Sequence, residues 1–241
     1  MTEHAIRQNV ANIRQRIAAA AARSGRRAAD VRLMAVTKTV DDQRILAAIA
    51  AGVDIIGENY VQEAKRKIEL MGRPQEWHLI GHLQTNKAKY AVKLFDMIHS
   101  VDRMDVALEL NRRAAKEGRL IKVLIEVNIS GEATKRGSDG EEASGLVKEV
   151  SHLEHLSIQG LMTMAPWFDD PEEARPCFAA LRSLRDRIAD AGIPGVTMGE
   201  LSMGMSGDFE IAVEEGATII RIGRSLFGER PVKEETPTHL R

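Results

Sequence analysis

The chain has 241 residues, of which 44% are hydrophobic and 29% charged. A chain of this length and composition can bury a sizeable core, which excludes a disordered protein. Thirty-four basic residues balance 35 acidic ones, which argues against a general nucleic-acid-binding protein. No run reaches the ~18–20 apolar residues of a membrane span, and the charged N-terminus is unlike a signal peptide. A single cysteine, Cys177, excludes a disulfide framework. We therefore expect a cytoplasmic protein that contacts neither nucleic acid nor membrane.

The first predicted element is a helix over residues 3–23. Ile6, Val10, Ile13 and Ile17 recur at spacings of three and four, which gives the helix one apolar stripe. Ser24 and Gly25 then end it.

Eight short apolar runs follow, and sequence of helical length separates most of them. The runs span 31–37, 53–57, 77–81, 97–101, 121–127, 156–162, 196–202 and 217–223. Apolar strands that alternate with helices are typical of a parallel sheet covered on both faces. Eight such units in a chain near the typical ~250 residues predict a single (β/α)₈ TIM-type barrel, an α/β fold, over residues 1–241 with an extra N-terminal helix. An open doubly wound sheet is the alternative, although no GxGxxG motif follows the first strand.

Two loops at the predicted barrel mouth have the composition of an anion site. SMGMSGD (202–208) and RIGRS (221–225) place glycines and hydroxyls just before helical sequence. Glycine lets backbone N–H groups approach an anion, and helix N-termini carry the positive end of a dipole. Barrels of this type commonly hold phosphate in the loops after strands 7 and 8. We therefore predict a phosphate site, with two ordinary capped turns as the alternative.

Lys38 lies at the mouth end of the first, almost wholly apolar strand. A lysine partly removed from water there has a lowered pKa and can act as a nucleophile that forms a Schiff base. The alternative is an ion pair with a rim carboxylate such as Glu58. A lysine that faces a phosphate site predicts a phosphorylated carbonyl ligand, either a sugar phosphate or pyridoxal 5′-phosphate (PLP).

Arg221 and the histidines are the remaining polar candidates. Arg221 lies inside strand 8 between two isoleucines, so its guanidinium needs an acceptor, which could be a ring nitrogen of a cofactor or a carboxylate such as Glu126. No histidines occur with carboxylates at metal-ligand spacing, so we expect no metal site. His82, at the rim of strand 3, is expected to be a polar group of the pocket.

Several segments have a distinctive sequence. They are AVTK (35–38), GENYVQEAKRK (57–67), WHLIGHLQTNKAK (77–89), HSVD (99–102), IEVNISGEATKRG (125–137), GLMTMAP (160–166) and LSMGMSGDFEIAVEEGATIIRIGRSLFG (201–228). Taken in order they cover nearly the whole chain, and they resemble the YggS/PROSC family, the pyridoxal phosphate homeostasis proteins.

The resemblance implies a barrel similar to the N-terminal domain of alanine racemase, with PLP held as a Schiff base on Lys38. By the same resemblance, Arg221 matches the arginine that faces the pyridine nitrogen. Asn59 and His82 match residues that line the pocket.

The resemblance also implies the phosphate ligands and a role. Ser206, Gly223 and Arg224 match phosphate-binding positions, the last through its backbone N–H. The family is implicated in keeping PLP balanced, as a carrier or buffer without a robust catalytic reaction. PLP-dependent apoenzymes are then possible partners, and we expect a monomer.

A PLP-dependent racemase-like enzyme, or a sugar-phosphate aldolase, remains the alternative. Racemisation needs a second base, which racemases of similar fold take from a tyrosine of a further C-terminal domain. We expect that domain to be absent here and turnover to be inefficient. Tyr60, beside the rim of strand 2, could approach the mouth, but we expect its ring to pack at the start of the next helix.

Overall fold

Eight parallel strands close into a barrel in the order of the sequence. A computed structural model describes residues 1–129, 137 and 140–229. The strands are β1 Arg32–Val36, β2 Ile55–Glu58, β3 Glu76–Leu79, β4 Met97–Val101, β5 Ile121–Glu126, β6 Leu156–Met162, β7 Glu200–Ser202 and β8 Ile219–Ile222. The barrel closes where β1 pairs with β8, with Arg32 opposite Ile219. This closure confirms the predicted barrel and excludes the open doubly wound sheet.

Helices surround the barrel and connect its strands. They are α1 Glu3–Arg23, α2 Asp42–Ala50, α3 Val61–Met71, α4 Ala88–Leu94, α5 Met104–Lys116, α6 Gly140–Val150, α7 Arg175–Asp190, α8 Phe209–Glu214 and α9 Arg224–Phe227. Short 3₁₀ turns lie at Ala28–Asp30, Thr85–Lys87 and Pro171–Ala174.

The large apolar core lies between the sheet and this ring of helices. Side chains on successive strand residues point to opposite faces of the sheet. Leu33, Ile56, Trp77 and Ile98 are fully buried in the cluster that includes the helices. Met34, Ile55 and Ile219 form a separate small cluster, and Met97, Leu124 and Met162 form another.

Helix α1 begins and ends as the sequence predicts. Thr2 caps it by accepting a hydrogen bond from the Ala5 backbone N–H, and the buried residues Ile6, Val10, Ile13 and Ile17 form its apolar stripe. The helix packs against α2, α8 and α9. Helices α8 and α9 are only six and four residues long, and the long helix α1 packs against both of them.

Two parts of the predicted regions lie outside the described residues. They are residues 130–136 of the IEVNISGEATKRG segment and the last part of the predicted 1–241 domain, from residue 230 onward. Among the described helices, none is both long enough and apolar enough to span a bilayer.

Candidate functional site

A cavity of about 570 Å³ opens at the carboxyl ends of the strands. Lys38, Ser206, Gly223 and Arg224 all line it. Three of these residues come from the loops after β7 and β8, and the lysine follows β1. The barrel closure thus brings together four of the residues singled out in the sequence, in a cavity whose volume is within the usual range for small-ligand sites.

The two glycine-containing loops are joined to each other. The Ser225 backbone N–H donates to Ser206 Oγ at 3.2 Å, and Ser225 Oγ donates to the Ser206 carbonyl at 3.4 Å. Within the described part of the chain, the backbone N–H groups of Ser206, Gly207 and Arg224 have no protein acceptor. Several N–H donors at the start of short helices, together with a serine hydroxyl, suit a bound anion.

The backbone next to Lys38 has an unusual conformation. Thr39 has a φ of 63°, in the left-handed region that β-branched residues rarely adopt. Its N–H donates to Glu63 Oε1 on α3 at 2.7 Å. This bond holds the turn that directly follows Lys38, and Lys38 itself is half-buried.

A fully buried lysine, Lys67, holds the other side of the same turn. Its Nζ donates to the Thr37 carbonyl and to Glu58 Oε1, both at 2.6 Å, and to Glu63 Oε1 at 2.7 Å. Thr37 Oγ1 also donates to Glu58 Oε1 at 2.6 Å. Burial raises the pKa of Glu58 although Lys67 opposes that shift. The carboxylate considered as a partner of Lys38 is therefore paired with Lys67.

Arg221 lies inside the barrel, buried on β8. Its Nη1 donates to Ser202 Oγ at 2.9 Å and its Nη2 to the Thr163 carbonyl at 2.8 Å. Burial lowers the pKa of the guanidinium to about 10, with Asp208 and Glu126 acting in the opposite direction. The arginine therefore remains a cation at neutral pH, and two neutral oxygens accept its hydrogen bonds.

Asn59 and His82 border a second cavity of about 490 Å³ at the same end of the barrel. Within the described residues, Asn59 Oδ1 is buried without a hydrogen-bond partner. Tyr60 borders this cavity too, and it is 61% exposed. The expectation that its ring packs at the helix start is therefore wrong, because no neighbour covers most of the side chain.

Two buried histidines were missed as a pair by the sequence analysis. His78 Nδ1 and His99 Nε2 are 2.9 Å apart, and both rings are fully buried. His99 lies within β4. Alternation along β3 and β4 could have placed each ring inside the barrel, but it could not have shown which residues face one another across strands. Among the described residues, no three His, Cys, Asp or Glu side chains are grouped as they would be around a metal ion.

Together these residues provide three chemical groups at one end of the barrel. They are the amine of Lys38 and the anion cradle of two loops, which line one cavity, and the cationic donor Arg221, which is buried and is not among the residues that line the two cavities. This set suits a ligand that carries a carbonyl group, a phosphate and a hydrogen-bond acceptor.

Comparisons with known proteins agree with this geometry. Residues 3–231 match the family model for the alanine racemase N-terminal domain. A pyridoxal phosphate homeostasis protein of Aquifex aeolicus is 43% identical over 224 residues, which is 92% of this chain and 97% of that protein. Among solved structures, an unknown protein of Bifidobacterium adolescentis has a TM-score of 0.86 at 41% identity and covers 93% of this chain and 95% of its own. PipY of Synechococcus elongatus PCC7942, solved with PLP bound, has a TM-score of 0.76 at 39% identity, covering 83% of this chain and 93% of its own.

Proposed function

The chain belongs to the alanine racemase N-terminal-domain family and, within it, to the pyridoxal phosphate homeostasis proteins, and from this membership we propose that it binds PLP and acts in intracellular PLP homeostasis. In this role it carries or buffers the cofactor in the cytoplasm and passes it to PLP-dependent apoenzymes.

One observation carries the proposal. A single cavity joins Lys38 to the Ser206 and Gly223–Arg224 loops, in a chain whose relative PipY was solved with PLP bound. The cradle offers unpaired N–H donors for a phosphate, and the lysine offers an amine for an aldehyde. The residues present therefore fit the cofactor.

Each residue has a distinct role in the proposal. Lys38 would hold the cofactor covalently through Nζ, and Ser206 with the Gly223 and Arg224 backbone would hold its phosphate. Arg221 would donate to the pyridine nitrogen. Asn59 and His82 would line the neighbouring part of the mouth.

Arg221 also favours a carrier over a catalyst. When bound, PLP supplies an electron sink that stabilises carbanions, and the sink is strongest with a protonated ring. A guanidinium can only donate hydrogen bonds, so a ring nitrogen beside it must accept one. Arg221 therefore keeps that nitrogen unprotonated, which weakens the sink.

Absorbance and lysine mapping test the cofactor assignment. We expect PLP to produce a visible absorbance band in the wild type, and borohydride followed by peptide mass mapping to place the adduct on Lys38. Lys38→Ala should lose both signals. Lys87→Ala is the matched control, because Lys87 borders the neighbouring cavity of the mouth and its loss should change neither signal. An adduct only on Lys87 or Lys89, or a protein that PLP leaves colourless, would contradict the assignment.

A transfer assay tests the carrier role. The loaded protein, separated from free ligand, is mixed with the apo form of a PLP-dependent enzyme, and recovery of that enzyme's activity is followed. We expect recovery at a rate above that given by spontaneous release of PLP into buffer. Recovery no faster than release would argue against direct transfer, and size-exclusion chromatography with light scattering would check the proposed monomer.

The exposure of Tyr60 favours one second candidate, a PLP-dependent racemase-like enzyme of weak activity. The ring lies at the border of the cavity that Asn59 and His82 line, where it could serve as a second base. The test follows α-proton exchange and chirality of alanine in deuterated water by NMR. Under the carrier proposal, inversion stays far below the ordinary enzyme range of ~1–10³ per second. Inversion within that range, abolished in Tyr60→Phe, would establish the enzyme instead.

A further inference from the structure

A continuous row of hydrogen-bonded polar side chains lies inside the barrel behind Arg221. Its members are Ser202, His99, His78 and Glu76, and we call this row the file. Arg221 Nη1 donates to Ser202 Oγ at 2.9 Å, and Ser202 Oγ lies 3.0 Å from His99 Nδ1. His99 Nε2 lies 2.9 Å from His78 Nδ1, and His78 Nε2 lies 3.1 Å from Glu76 Oε2. The file therefore connects Arg221 to Glu76 at the amino-terminal end of β3.

The Glu76 end gives the hydrogen bonds of the file one direction, because an ionised carboxylate can only accept. Arg221 can only donate, and Ser202 Oγ accepts from it while its own O–H remains able to donate. The hydroxyl of Ser202 then donates to His99 Nδ1, and His99 Nε2–H donates to His78 Nδ1. His78 Nε2–H finally donates to Glu76. Both imidazoles are neutral and carry their proton on Nε2.

The opposite direction fails at the Glu76 end. If His99 donated from Nδ1 to Ser202, His78 would donate from Nδ1 and present a lone pair to the carboxylate. A second proton on His78, or a proton on Glu76, would be needed to avoid that repulsion. Burial lowers the pKa of His78, and the hydrogen bond with His78 lowers the pKa of Glu76 to about 2.

The carboxylate is also held from outside the file. Arg32 Nη1 donates to Glu76 Oε2 at 3.1 Å, and Arg32 Nη2 donates to Glu200 Oε1 at 2.8 Å. Glu76 therefore remains an ionised acceptor at one defined position. The file ends on a partly exposed carboxylate that Arg32 also contacts.

Building on the proposed function, we propose that Ser202, His99, His78 and Glu76 are positioning residues that fix the plane of the Arg221 guanidinium and so set its hydrogen bond to the pyridine nitrogen of PLP. The guanidinium is planar, so Nη1 on Ser202 and Nη2 on the Thr163 carbonyl define its orientation at two points. The file does not conduct protons to the ring, because an arginine cannot accept one.

The first test uses the ligand-free protein. Long-range ¹H–¹⁵N correlation spectra at pH 7.5 should show His78 and His99 neutral, with the proton on Nε2 of each ring, assigned by difference from single-histidine variants. The Nη1 and Nη2 groups of Arg221 should give separate resonances in the wild type and a merged one in Ser202→Ala. A proton on His99 Nδ1, a charged His78, or separate Nη resonances in the variant would overturn the proposal.

The second test compares PLP with its carbocyclic analogue, in which a C–H replaces the ring nitrogen. The wild type should bind PLP about tenfold more tightly than the analogue, since one hydrogen bond to a charged group distinguishes them. Ser202→Ala should lose most of this preference while analogue binding stays unchanged. A merely structural role of Ser202 would weaken both ligands equally and would refute the inference.

His99→Gln and His99→Phe form the matched pair. A glutamine amide offers one acceptor and one donor, as the neutral imidazole does, and should retain the preference for PLP. A phenylalanine offers neither and should lose it. Equal behaviour of the two variants would refute the role of His99.

If neither ligand binds the wild type, the proposed function fails. The histidine tautomers and the Arg221 resonances are measured without ligand, so they still decide whether the file exists.

Discussion

Lys67 determines the local geometry around Lys38 although its own amine never reaches the cavity. Both Lys67 and Glu58 are fully buried, and Lys67 is the cation that compensates the Glu58 carboxylate, while Lys67 itself also pairs with Glu63. Removing one partner of such a pair leaves an uncompensated charge in a poorly solvated place, which is costly. The same amine supports Thr37 on one side of Lys38 and, through Glu63, Thr39 on the other.

Lys67→Met should therefore lower the free energy of unfolding by about 3–5 kcal/mol, because the Glu58 carboxylate stays buried without its cation. Adding Glu58→Gln to Lys67→Met should restore part of that loss. Urea titrations of the two single variants and the double variant measure the coupling. The control is Lys65→Met, whose lysine forms an exposed pair with Glu69 and should cost less than about 1 kcal/mol. Equal losses in Lys65→Met and Lys67→Met would refute this account.

Ser206→Ala should weaken PLP retention by roughly 10- to 100-fold, because a hydrogen bond to a charged group contributes about 1.5–3 kcal/mol. Pyridoxal, which lacks the phosphate, should bind the wild type poorly. Equilibrium dialysis of both ligands against both proteins measures the effect. Ser225→Ala is the control, since the backbone N–H that joins the two loops remains. Equal wild-type affinity for PLP and pyridoxal would contradict a phosphate site.

At the scale of elements, α1 contributes to the closed barrel by covering two short helices. Asn9 Nδ2 donates to the Leu226 carbonyl at 3.0 Å, and the Arg16 guanidinium lies 4.5 Å from the Phe209 ring centroid. Helix α1 precedes the first strand in sequence, yet it packs against the helices that flank the last one. It thereby connects the helix before β1 to the helices that flank β8.

Ile17→Ala should lower the free energy of unfolding by about 2–5 kcal/mol, since a large side chain that is 1% exposed leaves a cavity under α1. Denaturant titration with a tryptophan fluorescence signal measures the loss. Gln15→Ala, at an exposed position of the same helix, should change stability by less than about 0.5 kcal/mol. A similarly small effect of Ile17→Ala would show that α1 does not support the barrel.

At the scale of the whole molecule, the barrel encloses polar residues as well as apolar ones. Burial lowers the pKa of His78 and lowers that of His99 further, so both rings stay neutral in the folded state. An unfolded chain protonates each ring below about pH 6.5, so it binds more protons there than the native state does. Stability should therefore be complete above pH 6.5 and decline as the pH falls, until the lowered pKa values of the folded state are reached.

We expect the free energy of unfolding to fall as the pH is lowered from 7.5 to 5.5, because the unfolded chain takes up protons at these two histidines and the native state resists doing so. Urea titrations at several pH values measure the slope, and His99→Gln should remove the part that belongs to His99. Identical slopes in the wild type and in His99→Gln would mean that His99 is not the titrating group.

The sequence by itself determined the fold and the main candidates of the site. Eight apolar runs predict eight strands, and the structure has all eight, with β4 and β6 at the predicted bounds. Local signals suffice here because strand and helix formation depend on periodicity and composition along the chain. Lys38 and the two glycine-containing loops follow from their places after strands, since parallel strands present their carboxyl ends to one common mouth, whereas Ser206, Gly223 and Arg224 were singled out within those loops by the family resemblance.

Only the tertiary structure decided which of these residues meet and what supports them. Glu58 pairs with Lys67 instead of Lys38, and His99 meets Ser202 from 103 residues away in the sequence. Such pairings depend on the stagger between strands of the closed barrel and on irregularities such as the shift between Val123 and Leu124. A one-residue change in register moves a side chain to the other face of the sheet, so periodicity within a strand cannot identify its partner on another strand.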